Sequence, residues 1–258
     1  MFMNAGFGAA IHPKHAPYTY VVDASPNYWG SSCGPVAAHA MAGENVEFYP
    51  WYTDDGMTSQ SAPASYTITS GMSAVDINAV LTCAAPGSTI TFGIGNHPGN
   101  LLIPAGREHL NLVLQNGAVI NASSPCFNVQ ADFTTIKAQN IGMASCVTVA
   151  GSNGIDVAAG LRNLTVDGLE ITGAGNDGIH FAGAITDVVL KDNFIHNLAG
   201  NGVYFGGQPI ALTTGGIDIH GNLFQNNTGM GIEAATFTVP AEYNSWGSAS
   251  GAAAGDGI

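Results

Sequence analysis

Positive charge is nearly missing from this chain. Its 258 residues include 5 Lys and Arg against 18 Asp and Glu, and charged side chains make up only 9% of the total. The five cations, Lys14, Arg107, Lys137, Arg162 and Lys191, are scattered. A phosphate backbone needs clustered cations, so no nucleic-acid partner is expected. No apolar run reaches the length of a membrane span. Met1 is not followed by the basic and apolar regions of a signal peptide. A secretion signal is therefore expected upstream of this segment or already removed. The four cysteines show neither Cys-x-x-Cys nor zinc-ligand spacing, so no metal ligands are read from them. Scarce charge combined with 35 Gly fits closely spaced turns between stacked strands better than surface helices.

What is present is a repeat. Cys126-Phe-Asn-Val129, Cys146-Val-Thr-Val149, Gly178-Ile-His-Phe181, Gly202-Val-Tyr-Phe205 and Gly231-Ile-Glu-Ala234 each read small, apolar, polar, apolar. The steps between them are those of β-helix coils, with insertions falling in the turns. Period two marks strands with one inward face. A second strand keeps step with the first: Leu164-Thr-Val166, Val188-Val-Leu190, Ile217-Asp-Ile219 and Val239-Pro-Ala241. Asn193, Asn222 and Asn244 follow it and are expected to stack at one turn. The inferred core columns are Phe127/Val147/Ile179/Val203/Ile232 and Val129/Val149/Phe181/Phe205/Ala234. One such coil cannot bury its apolar face alone, so the fold class is all-β, a right-handed parallel β-helix solenoid. Upstream, Ser73-Ala-Val-Asp76 reads as a capping box opening a short helix. Ile77, Val80, Leu81 and Ala84 lie on one face of that helix, which would cap the open end of the core. Pro86-Gly87 stops it, and Thr89-Ile-Thr-Phe92 begins the first strand.

The run Ala84-Ala-Pro-Gly-Ser-Thr-Ile-Thr-Phe92, the coil register and the closing Asn244-Ser-Trp-Gly247 resemble the pectate-lyase-like right-handed β-helix proteins. Within that group the likeness is to bacterial secreted surface proteins built of repeated modules. It covers Ser73 to Gly251 and is specific for fold, nearly silent on activity.

The N-terminus repeats the C-terminus: Val22-Asp-Ala-Ser-Pro-Asn-Tyr-Trp-Gly-Ser31 matches Val239-Pro-Ala-Glu-Tyr-Asn-Ser-Trp-Gly-Ser248 without a gap, Val22 falling on Val239 and Trp29 on Trp246. Asn4-Ala-Gly-Phe-Gly8 likewise matches Asn227-Thr-Gly-Met-Gly231. Residues 1–47 thus read as the terminal coil of a preceding β-helix module, 48–65 as a linker and 66–258 as a complete module. Either the segment is cut from a serial array, or residues 1–34 stack head-to-tail on another copy of the chain.

Cys126 and Cys146 take matching places on neighbouring coils. Coils lie about 4.8 Å apart, within disulfide reach, so this pair is a disulfide candidate, against two stacked free thiols. Nothing in the sequence pairs Cys33 or Cys83.

Two outward columns could carry chemistry. Asp167, Lys191, His220 and Glu242 combine carboxylate, amine and imidazole, as acid–base work on a polysaccharide would need. A cross-strand charge ladder is the plainer account. Asn128, Thr148, His180, Tyr204 and Glu233 form the second column, in which His180, Tyr204 and Glu233 are the ligand-binding candidates; solvated surface residues are the plainer account there too. The resemblance implies Ca²⁺ held by clustered acids beside an Arg or Lys base for lyases, and adjacent Asp residues with an Arg–Lys pair for hydrolases. Here Asp54-Asp55 sits in the linker, and no Arg lies in an aligned strand. Neither set is complete, so no cofactor is expected, with Ca²⁺ entering only if the chain is a lyase. Asn121-Ala-Ser123, Asn163-Leu-Thr165 and Asn226-Asn-Thr228 fit the glycosylation sequon. Phe194 and Leu223 should point outward at matching positions. Phe48, Trp51 and Tyr52 should anchor the linker, or else stack on sugar.

The expectation is a non-enzymatic extracellular or cell-surface module: a stalk, adhesin or head-to-tail filament subunit whose partner is itself. The alternative is a polysaccharide lyase, glycoside hydrolase or carbohydrate-binding module with a surface polysaccharide as partner.

Overall fold

The computed structural model describes residues 22–29, 31–34, 46–47, 49–122, 124–173, 175–206, 216–234 and 238–247. The matches at Asn4–Gly8, Phe48 and Ser248, like most of residues 1–47, lie outside them. The architecture is a parallel β-solenoid of about six turns. Three sheets run along its axis. The first orders Ser65–Ile68, Thr89–Phe92, Asn111–Leu114, Thr135–Ala138, Arg162–Asp167, Thr186–Lys191 and Ile217–His220. In the second, Gly95–Pro98, Ala118–Asn121, Ser145–Thr148, Glu170–Gly173, Phe194–His196 and Leu223–Gln225 follow one another. The third holds Leu101–Ile103, Phe127–Val129, Ile155–Val157, Ile179–Phe181, Val203–Phe205 and Ile232–Ala234.

Each coil contributes one strand per sheet, so side chains about one coil apart stack into columns. Ile90, Leu112, Ile136, Val166, Leu190 and Ile219 are in register in the first sheet, and all are buried. Ile120, Cys146, Ile171, Ile195 and Phe224 do the same in the second. In the third, Leu101, Phe127, Ile155, Ile179, Val203 and Ile232 form one column, and Ile103, Val129, Val157, Phe181, Phe205 and Ala234 the next. Phe181 and Phe205 stack with ring centroids 4.6 Å apart.

The third-sheet columns correct the sequence reading in one coil. Val147 and Val149 do not belong to them. Cys146-Val-Thr-Val149 falls largely within the second sheet, where Val147 points outward and Val149 is 45% exposed. Gly154-Ile-Asp-Val157 takes the vacated place, so the column steps from Phe127 to Ile155 and on to Ile179, Val203 and Ile232 at nearly even intervals. A period-two pattern reports an inward face without saying which of three sheets owns it. The preceding glycine is the better marker, because the coils close up at that corner: a Cβ on Gly202 would lie 2.5 Å from the Gly231 carbonyl oxygen.

The capping box is formed: Ser73 Oγ accepts from the Asp76 N–H at 3.2 Å, and Asp76 accepts from the Ser73 N–H. It opens the helix Ala74–Cys83, which buries Ile77 and Leu81. The helix also ends the third sheet. Asn78 accepts from the Leu102 N–H at 2.7 Å and donates to the Asn100 carbonyl at 3.0 Å, filling part of the strand edge that would otherwise stand open. The first sheet starts one strand earlier than Thr89: Ser65–Ile68 pairs in parallel with Thr89–Phe92.

Candidate functional site

The outer faces are bound along the axis. In the first column, Lys137, Asp167, Lys191 and His220 are in register on successive strands. Glu242 joins them only from a turn, lining a shallow groove of about 280 Å³ with Asp218, His220, Pro240 and Tyr243. Lys191 Nζ lies 3.1 Å from Asp167 Oδ2, and His220 Nδ1 lies 2.8 Å from Asp218 Oδ1. The hydrogen bond to Asp167, reinforced by the attraction of its charge, raises the Lys191 ammonium above its ordinary value. A lysine base at neutral pH needs the opposite shift, so this amine is poorly placed to abstract a proton.

The second column holds Asn128, Asp156, His180, Tyr204 and Glu233. Thr148 is not a member: it is buried in the second sheet, where its hydroxyl accepts from the Gly175 N–H at 3.1 Å. The His180 and Tyr204 rings lie parallel, with centroids 5.4 Å apart. Each ring thus turns one face to the other. Asp156 sits 3.3 Å from His180 Nδ1, and Glu233 accepts from Asn201 Nδ2 at 2.9 Å.

A third network, on the second sheet, was not legible in the sequence. Ser145 Oγ donates to Glu170 Oε2 at 2.6 Å, and His196 Nε2 lies 3.0 Å from Glu170 Oε1. Asn197 Nδ2 approaches His196 Nδ1 at 2.7 Å, and Phe194 stacks on the imidazole at 3.8 Å. Both imidazole nitrogens are occupied, so neither is open to a substrate proton. Phe194 and Leu223 are indeed in register. The only signals in the sequence were isolated polar residues in short strands.

The corners are laddered too. Asn193 and Asn222 are buried: Asn193 donates from Nδ2 to Asn222 Oδ1 at 2.9 Å, and Asn222 does the same to Asn244 Oδ1 at 2.9 Å. A parallel ladder runs through the next corner. The Asp177 N–H donates to Asn153, the Asn201 N–H to Asp177 and the Met230 N–H to Asn201, at 3.0, 2.8 and 2.8 Å. Its sequence signal was the Asn or Asp placed directly before Gly154, Gly178 and Gly202.

The other singled-out residues have local roles. Arg162 pairs with Asp132 at 3.1 Å. Asp54 closes a turn by accepting from the Thr58 and Ser59 N–H groups, and the Thr58 backbone bond is the main reason its carboxyl sits below the usual range. Among the described residues, no group of three or more His, Cys, Asp or Glu is placed to hold a metal ion, and no helix is long and apolar enough to cross a membrane.

Cys126 and Cys146 are joined, with Cα atoms 6.0 Å apart. The geometry differs from two equivalent positions on one sheet: Cys126 precedes a third-sheet strand and Cys146 sits in the inward column of the second, so the bond crosses a corner. Cys33 and Cys83 form a second disulfide, with Cα atoms 4.3 Å apart. Compared with known proteins, the chain matches no family model, no curated protein and no solved structure.

Proposed function

We propose that this chain is a structural module of an extracellular stalk, akin to the repeated surface modules of the pectate-lyase-like group. The carrying observation is that on each of the three sheets an outward carboxylate pairs with an amine or imidazole one coil away. Asp167–Lys191, Glu170–His196 and Asp156–His180 each bridge successive coils. With the continuous core and backbone ladders, such pairs stiffen a rod along its axis. The described part of the overhang binds its own chain, through Cys33–Cys83 and the Tyr52 N–H to Asn27 carbonyl bond at 3.1 Å. That contact favours serial modules over stacking on a separate copy.

The test is an elimination assay on uronic-acid polymers, with and without Ca²⁺, following the unsaturated product by absorbance. No product is expected. Turnover that Lys191→Ala abolishes would refute the stalk reading in favour of a lyase.

A further inference from the structure

The N-terminal end holds a contact of a kind the coils do not use. Arg107 is 1% exposed, and its guanidinium donates to three carbonyls: Nε to Thr82 at 2.7 Å, Nη2 to Cys33 at 2.6 Å and Nη1 to Gly106 at 3.2 Å. Burial pushes its pKa down to about 10, so it still carries its charge at neutral pH. The guanidinium also lies 4.8 Å from the centroid of the Trp51 ring. Trp51 is 1% exposed and donates from Nε1 to the Ser32 carbonyl at 3.0 Å. Gly34, at φ +69°, presses on the same indole; a Cβ there would lie 2.5 Å from Trp51 Cδ2. Cys33 is bonded to Cys83, the last residue of the cap helix. Residues 32–34 are thus seated by a buried cation, an indole face and a covalent bond.

The seated segment continues Asn27-Tyr-Trp-Gly30, the counterpart of the module-closing Asn244-Ser-Trp-Gly247. We infer that Cys33 and Cys83, with Arg107 and Trp51, form a lock that fastens the terminal segment of one β-helix module onto the cap helix of the next. The inference rests on the stalk reading and deepens it by naming the partner surface. At the same offset, Gly251 matches Gly34 but Ser250 stands in place of Cys33. A segment with the C-terminal sequence would meet such a seat without the covalent bond. The lock therefore distinguishes fixed joints from joints free to open.

The test is hydrogen exchange on the whole chain, comparing wild type with the Cys33→Ser/Cys83→Ser double variant and with Gly34→Ala. The joint reporter is the Tyr52 amide, bonded to the Asn27 carbonyl; the reporter for the stack is the Thr165 amide, bonded to the Thr134 carbonyl. By the chain-entropy relation, closing a loop between cysteines 50 positions apart is worth up to about a thousandfold in the closing equilibrium. Exchange at Tyr52 is expected to rise by roughly ten- to a thousandfold in the double variant, with Thr165 unchanged. Gly34→Ala should open the same amide with the disulfide intact by non-reducing mass analysis. Unchanged exchange at Tyr52 would overturn the inference. So would parallel loss of protection at Thr165, since the bond would then be a staple of the fold itself. Uronate elimination would sink the stalk reading and leave the exchange result standing.

Discussion

Asn222→Ala should be among the most damaging single substitutions available at a polar position. Asn222 is 1% exposed and serves three coils at once. Its Oδ1 accepts from the Asn193 N–H and from Asn193 Nδ2, both at 2.9 Å. Its Nδ2 donates to the Leu190 carbonyl at 2.8 Å and to Asn244 Oδ1 at 2.9 Å. Truncation to Ala leaves the Asn193 N–H, one Asn193 amide hydrogen and the Leu190 carbonyl without these partners at a buried corner. A buried polar group stripped of its partner costs about 1–3 kcal/mol. Three such groups give about 3 kcal/mol as the smallest loss consistent with that range. For a chain of this size, 1 kcal/mol moves the midpoint by about 2–4 °C, so a fall of roughly 6–12 °C is expected.

The assay is thermal and urea unfolding of wild type, Asn222→Ala and Asn116→Ala. Asn116 makes a similar bond, accepting from Asn140 Nδ2 at 3.1 Å, but at an exposed turn where water replaces the lost partner. Its loss should stay within about 0.5 kcal/mol. The reasoning fails if the two variants lose the same stability, or if Asn222→Ala loses less than about 3 kcal/mol. Either result would mean that water reaches the corner and that the ladder is decorative.

Two further outcomes follow from the register and from the outer face. Val157→Ala, in the buried third-sheet column, should lose about 2 kcal/mol by urea titration, whereas Val149→Ala, outside it, should lose less than about 0.5 kcal/mol; the reverse ranking would restore the uncorrected register. Lys191 has its pKa raised by Asp167, so the folded state holds that proton more tightly than the unfolded chain does. Its contribution is complete below the ordinary lysine value and is lost as pH rises through the raised one. Lys191→Met should therefore remove a stability slope on the alkaline side, of less than about 1 kcal/mol because the pair is half-exposed, as read from melting curves taken across that pH range.

The legible parts of the fold are those where coil length does not vary. The step from Leu164 to Val188 equals the step from Ile179 to Val203, and strands, turns and columns all repeat in phase there. The Asn ladder could be read because Asn193 and Asn222 follow strands already aligned. The third coil could not. Residues 149–154 lengthen its corner, and Cys146-Val-Thr-Val149 offers the same alternation as the true strand Ile155–Val157. The outer columns were readable as positions, since Asp167, Lys191 and His220 fall in register, yet their chemistry was not. Whether a carboxylate beside an amine is a proton relay or an ion pair depends on a 3.1 Å contact and on the direction in which it shifts the amine.

The joint lay furthest from view, and its physics explains why. Its contacts link residues 50 and 74 positions apart, with no period to expose them. On composition alone, a lone Arg in a loop reads as solvated surface. Burying a guanidinium is costly unless its N–H groups are taken up, and a chain with only 5 Lys and Arg has few to commit. Arg107 is nevertheless buried beneath three carbonyls and an indole, where the overhang meets the cap helix. Within the stack, backbone ladders, corner amides and outward pairs link successive coils, and Cys126–Cys146 adds a covalent bond across one corner. Stability in such a stack is a sum over neighbours. The place where that sum is interrupted is the place where a module ends, and there a disulfide and a buried cation supply what stacking cannot.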